Sequence, residues 1–345
     1  MAVLPLRRLL AVTVAVVCAA ALAVITQTPA GAADETLGSA AARTGRYFGA
    51  AVQSRLLTDT AYTTVLDREF TSVTPEFEMW WDMIQPSRNV WNFPPADRIV
   101  EYAQAHGMRV RGRLIASYGV PNWVSGLTTA SEVNTALVTF IRTVMDHYRG
   151  KVDTWDVVGE AFSDNPSVPR RRNVFQVRLG DSWIEQAFRA ARAADPEVRL
   201  CYNDYGIEDI DKPKSQSVLR LLRDFKARGV PLDCVGLESH FNSTFPYPAN
   251  FRRTLETFAS SGLDVHLTEL DVAGTAPRQG EIYHSAISTC VAVTRCKGVT
   301  VFGIADHQSW RSAETPLLFD RYYNKKPAYF AALSAFPMPL TRTTP

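Results

Sequence analysis

Eight short runs of apolar or β-branched residues recur along the chain, and the segments between them space their apolar residues as helices do. The runs fall at residues 47–51, 72–76, 109–115, 153–158, 199–203, 233–237, 264–268 and 299–303. They are near-continuously apolar instead of alternating, which predicts strands buried on both faces. The clearest helical segment places Val133, Ala136, Leu137, Phe140, Ile141, Val144, Met145 and Tyr148 on one face. Residues 182–194 and 215–228 show a similar period, with Gly229 as a C-terminal stop for the second. Strand and helix alternating eight times predicts an α/β fold, a single (β/α)8 barrel with parallel strands and right-handed crossovers. A doubly wound open sheet fits the same alternation, but no glycine-rich fingerprint follows an early strand.

The N-terminus changes what counts as fold. Arg7 and Arg8 precede an uncharged stretch and then Ala30-Gly31-Ala32, a small-residue cleavage pattern. This predicts a secretory signal over residues 1–33, followed by a flexible stub over 34–44, a barrel over 45–339 and a polar tail over 340–345. A retained membrane anchor is the alternative. Removing the signal leaves 35 basic and 35 acidic side chains, a balance that argues against nucleic acid or an anionic membrane as partner. Four of the five cysteines remain, an even number in an exported chain. Cys290 and Cys296 are close enough to clip a short loop, and Cys201 and Cys234 lie near the starts of two runs expected to be adjacent. Free thiols are the alternative. The cysteine and histidine spacings do not match a zinc site.

Barrel strands deliver their C-terminal residues to one rim, where such folds place chemistry. Glu76, Glu160, Asn203, Asp204, Glu238, His240 and Glu269 all follow or end expected strands. Carboxyls from different strands can flank a glycosidic bond, one as acid and one as nucleophile or base. Glu269 suits the ionised role, because Asp271 lies two residues on and His240 comes from the neighbouring strand. Glu160, between Gly159 and Ala161, lacks a basic neighbour in sequence and suits the proton donor. A purely structural ion-pair network is the alternative. Trp80, Trp81, Tyr118, Trp123, Tyr205 and Trp310 lie near strand ends, where rings stack on sugar faces; each is individually as compatible with the core.

These residues carry a family resemblance. Phe48-Gly49-Ala50-Ala51-Val52, Thr74-Pro75-Glu76, Trp155-Asp156-Val157-Val158 and Tyr202-Asn203-Asp204-Tyr205 are similar to the glycoside hydrolase family 10 xylanases. So are Ser239-His240-Phe241, Leu267-Thr268-Glu269-Leu270-Asp271, Ser309-Trp310-Arg311 and Pro316-Leu317-Leu318-Phe319-Asp320. The resemblance implies a retaining β-glycosidase barrel with Glu160 as acid/base, Glu269 as nucleophile, His240 and Asp271 in support, and both disulfides. Retention implies carboxyls roughly 5–5.5 Å apart. The expected sugar-binding set is Glu76, Phe77, Trp80, Arg113, Asn203, Tyr205, Glu238 and Trp310.

The departures from the family pattern gather where the sugar is gripped. Phe77 stands for an asparagine, Trp80 for a lysine, Arg113 for a histidine, Gly159 for an asparagine, Glu238 for a glutamine and Phe302 for a tryptophan. A Trp-His pair is missing near Ser117 and Tyr118. Arg113 and Glu238 are complementary changes, expected either to pair with each other or to bind a differently shaped or acidic sugar. The expectation is a secreted, extracellular, monomeric xylanase-type hydrolase acting on a polysaccharide or oligosaccharide, without cofactor or metal. The alternatives are the same mechanism on a non-xylan β-glycoside, or a catalytically weak carbohydrate-binding homologue.

Overall fold

The computed structural model describes residues 35–114 and 119–337. The expected signal, the polar tail, and Ser117 and Tyr118 lie outside the described residues. Among the described residues there are nine parallel strands: β1 (Tyr47–Val52), β2 (Ser72–Pro75), β3 (Arg109–Arg113), β4 (Thr154–Gly159), β5 (Arg199–Asp204), β6 (Cys234–Leu237), β7 (His240–Asn242), β8 (Asp264–Ala273) and β9 (Cys296–Val301). β1 to β6 pair in sequence order, β6 pairs with β8, β8 with β9, and β9 with β1, so eight strands close into a barrel. Each of the eight expected runs is one of these strands. All six residues of β1 and of β4 are buried, as expected for strands covered on both faces.

β7 was not expected. It is three residues long and pairs with the end of β8, His240 against Asp271 and Asn242 against Ala273. That pairing accounts for β8 running ten residues, past Glu269 and not ending before it.

The helices follow their apolar stripes. Helix Ala130–His147 buries Val133, Leu137, Phe140, Ile141, Val144 and Met145, and starts at a capping box in which Thr129 and Glu132 satisfy each other's backbone amides. Helix Ser182–Ala194 matches its expected span, and helix Pro213–Ala227 ends before Gly229, whose φ of +65° a side chain rarely adopts.

The expected flexible stub needs correction, because Leu37–Arg43 is a helix capped by Thr36 and Ser39. It buries Leu37, Ala40 and Ala41, and the Leu37 amide donates to Glu69 Oε2 at 3.2 Å. Its small residues give a weak apolar stripe, so contact with Glu69 holds it more than propensity does. Both disulfides form, Cys201–Cys234 across paired strands and Cys290–Cys296 between a helix end and β9.

Candidate active site

The strand ends converge on one rim. Glu76 follows β2, Arg113 ends β3, Glu160 follows β4, Asn203 lies near the end of β5, Glu238 follows β6, His240 opens β7, and Glu269 and Asp271 lie in β8. All are buried except His240, which is half-buried. Glu160 has φ +51°, in the left-handed region, a strained backbone of the kind that clusters at functional sites.

Glu269 is the best-held carboxylate. Its Oε1 accepts from Asn203 Nδ2 at 3.1 Å and stands 3.0 Å from Arg113 Nη2. Its Oε2 lies 3.6 Å from His240 Nε2. Burial alone would raise its pKa, but the Arg113 charge, His240 and the Asn203 amide outweigh burial and hold it below the usual carboxylate range.

His240 is in turn backed by Asp271. Its Nδ1 lies 3.1 Å from Asp271 Oδ1, off the line of a well-formed hydrogen bond, so the contact is an ion pair. Burial pulls the imidazole pKa down, yet Asp271 and the flanking carboxylates hold it well above the ordinary value. Asp271 is itself held by Arg311 Nη1 at 2.9 Å and Trp310 Nε1 at 2.9 Å.

Glu160 sits in a second cluster. Arg171 Nη2 is 3.3 Å from Glu160 Oε2, its Nε donates to the Glu160 carbonyl at 3.0 Å, and it also donates to the Tyr205 hydroxyl at 2.7 Å. Lys214 Nζ lies 3.4 Å from the centre of the Tyr205 ring and 2.9 Å from Asp204. Glu76 accepts from Gln53 Nε2 at 2.7 Å; burial pushes its pKa up to about 7 against that bond.

The replaced residues form a distinct wall. Phe77 and Trp80 meet edge to face at 5.2 Å, and Phe302 packs against His240 at 5.5 Å with the Arg113 guanidinium 5.8 Å from its ring. Trp80 Nε1 and Arg113 Nη1 are buried without a hydrogen-bond acceptor among the described residues. Buried donors left open at a rim are satisfied at low cost by a hydroxyl-rich ligand.

Arg113 does not form its expected ion pair with Glu238, because its guanidinium reaches Glu269 instead. Two expected cleft aromatics also need correction. Trp81 is 2 % exposed and stacks on Phe140 at 4.1 Å, so it is core. Trp123 packs edge-on against Trp81 and spends its indole N–H on the Gln85 carbonyl. Trp310 is the opposite case, 59 % exposed with its ring against His240.

Arg171, Arg311 and Gln53 were missed as site residues. Arg171 lies in the Arg170-Arg171-Arg172 run and Arg311 in the Ser309-Trp310-Arg311 motif; Gln53 follows β1 and had no comparable signal. Glu238, His240 and Glu269 bring ligand-type atoms within 4.8 Å of one another, but the Arg113 cation already supplies the positive charge there.

The model of Glycosyl hydrolase family 10 matches residues 36–335. Endo-1,4-beta-xylanase A of Phanerodontia chrysosporium is 38 % identical over 301 residues, covering 82 % of this chain and 72 % of that protein. Native xylanase 10B from Thermotoga maritima superposes with a TM-score of 0.83 at 35 % identity, covering 88 % of this chain and 98 % of that one. Xylanase 10B from Thermotoga petrophila RKU-1, solved in complex with xylobiose, gives 0.84 at 34 % identity with the same coverage. With this match across the barrel and its carboxyl-lined rim, the chain belongs to glycosyl hydrolase family 10 and is a glycoside hydrolase.

Proposed function

We propose that this protein is a secreted xylanase that cleaves β-1,4-xylan with retention at the anomeric carbon. Glu269 attacks that carbon, and the bond to the leaving oxygen breaks as Glu160 donates its proton to it. Glu160 then takes a proton from water, whose oxygen displaces Glu269 and regenerates both carboxyls. His240, backed by Asp271, and Arg113 keep Glu269 ionised and aimed. Arg171 positions Glu160, and Trp310 offers its exposed ring to a sugar face. The observation that carries the reading is the buried Glu269 carboxylate, held low by Arg113, His240 and Asn203.

A second reading keeps the mechanism and changes the glycone. It is favoured by the open donors of Trp80 and Arg113 and by the Phe77–Trp80 wall. A hydrolysis screen of the mature protein on xylan, other β-glycans and aryl β-glycosides separates the two. The first reading expects xylo-oligosaccharides from xylan as the fastest reaction. Turnover of another β-glycoside with silence on xylan moves the assignment to the second.

A further inference from the structure

The rim places a carboxyl beside the nucleophile that double displacement does not use. Glu238 is 4 % exposed, and it shares its hydrogen-bond donors with Glu269. The Asn203 amide nitrogen donates to Glu238 Oε1 at 3.0 Å and to Glu269 Oε1 at 3.1 Å. His240 Nε2 lies 3.5 Å from Glu238 Oε2 and 3.6 Å from Glu269 Oε2. The two carboxyls have oxygens within 4.8 Å of each other. Buried carboxyls so close do not both ionise readily, and their protons are held as a pair.

The surroundings decide which member holds the proton. Arg113, from β3, places Nη2 3.0 Å from Glu269, whereas no lysine or arginine nitrogen reaches ion-pair distance of Glu238 among the described residues. The other charged groups around this rim are Glu76 after β2, Glu160 after β4 with Arg171 on it, Asp204 at the end of β5 with Lys214 on it, Glu208, which accepts from the Ser239 amide, and His240 of β7 with Asp271 and Arg311 behind it. His240 leans about equally on both members, so it breaks no tie. We infer that Glu238 works as a neutral carboxylic acid, carrying the proton of the pair beside ionised Glu269 and giving the sugar site an O–H donor. This rests on Glu269 being the nucleophile. The electrostatics agree in direction: burial first, then the Glu269 charge, drive the Glu238 carboxyl well above its ordinary range, and His240 opposes them without prevailing.

The protonated acid has a function that its carboxylate lacks. Once ionised, Glu238 cannot donate, and its charge competes with Glu269 for Asn203, His240 and Arg113. Glu238→Gln keeps the shape and a permanent donor. The infrared spectrum at neutral pH reads the proton without any need for catalysis. Wild type minus Glu238→Gln should show the carbonyl band of one carboxylic acid, and Glu269→Gln should lose the same band, because Glu238 then inherits Arg113 as its counter-charge. A difference spectrum that shows a carboxylate band and no carboxylic-acid carbonyl band overturns the inference. The pH profile of kcat/KM gives the functional reading. The ratio of kcat/KM for Glu238→Gln to that of wild type should rise about tenfold or more from acidic to alkaline pH, whatever its absolute level. A ratio flat with pH overturns the inference. Absence of any glycosidase turnover in wild type counts against the proposed function, while the infrared difference still decides the protonation of Glu238.

Discussion

Glu269→Gly is expected to lower glycoside hydrolysis by on the order of 10^4-fold or more, the scale of losing a covalent nucleophile. The sharper expectation is what azide does afterwards. With the carboxylate gone, azide enters the vacated face and displaces the leaving group once, giving a glycosyl azide of inverted configuration. In Glu160→Ala, an aryl glycoside with a good leaving group still forms the intermediate on Glu269. Azide then attacks from the opposite face and gives the retained azide. The two products, resolved by NMR, assign the roles separately. The two carboxyls differ in degree: Glu269 has Arg113, His240 and the Asn203 amide against it, whereas Glu160 has the Arg171 cation at 3.3 Å. Inverted azide from the Glu160 variant would reverse the assignment.

Arg113→Ala should cut kcat/KM by about 10^2–10^3-fold, the cost of removing a preorganised charge beside the reacting centre. Arg113 holds the Glu269 pKa down, so without it that pKa rises and the acid limb of kcat/KM moves to higher pH. The fold should lose on the order of 3 kcal/mol in denaturant unfolding, because the buried carboxylate keeps only His240 and Asn203. The linkage has a definite sign. A carboxyl with a lowered folded-state pKa contributes stability above its unfolded pKa and loses it as pH falls through the folded one. The variant should therefore lie closest to wild type at low pH and fall furthest behind near neutrality. KM should also rise if the open Nη1 binds substrate. An unmoved acid limb would remove Arg113 from the support of Glu269.

The barrel was legible because parallel strands covered on both faces leave continuous apolar runs, and all eight survive in the structure. The helix Leu37–Arg43 was not, since Ala, Gly and Ser leave little stripe and its anchor is Glu69, more than twenty-five residues away. β7 escaped for a related reason. Three residues carry no period, and only their pairing with β8 makes them a strand.

Membership of the rim was legible from strand ends, but direction across it was not. Arg113 and Glu238 looked complementary, yet the guanidinium reaches Glu269. Trp81 lies close in sequence to Glu76 and points into the helical layer, a distinction that proximity to a strand end does not contain. Arg171 comes from the loop beyond β4, eleven residues past Glu160, and only folding brings the two together.

The most direct test is the anomer first released by the wild-type protein from a xylo-oligosaccharide, followed by proton NMR before mutarotation. Double displacement at Glu269 and Glu160 predicts the β-anomer first, with the α-anomer growing in later. The α-anomer first, or β-anomer release that persists in Glu269→Gly, would contradict the account.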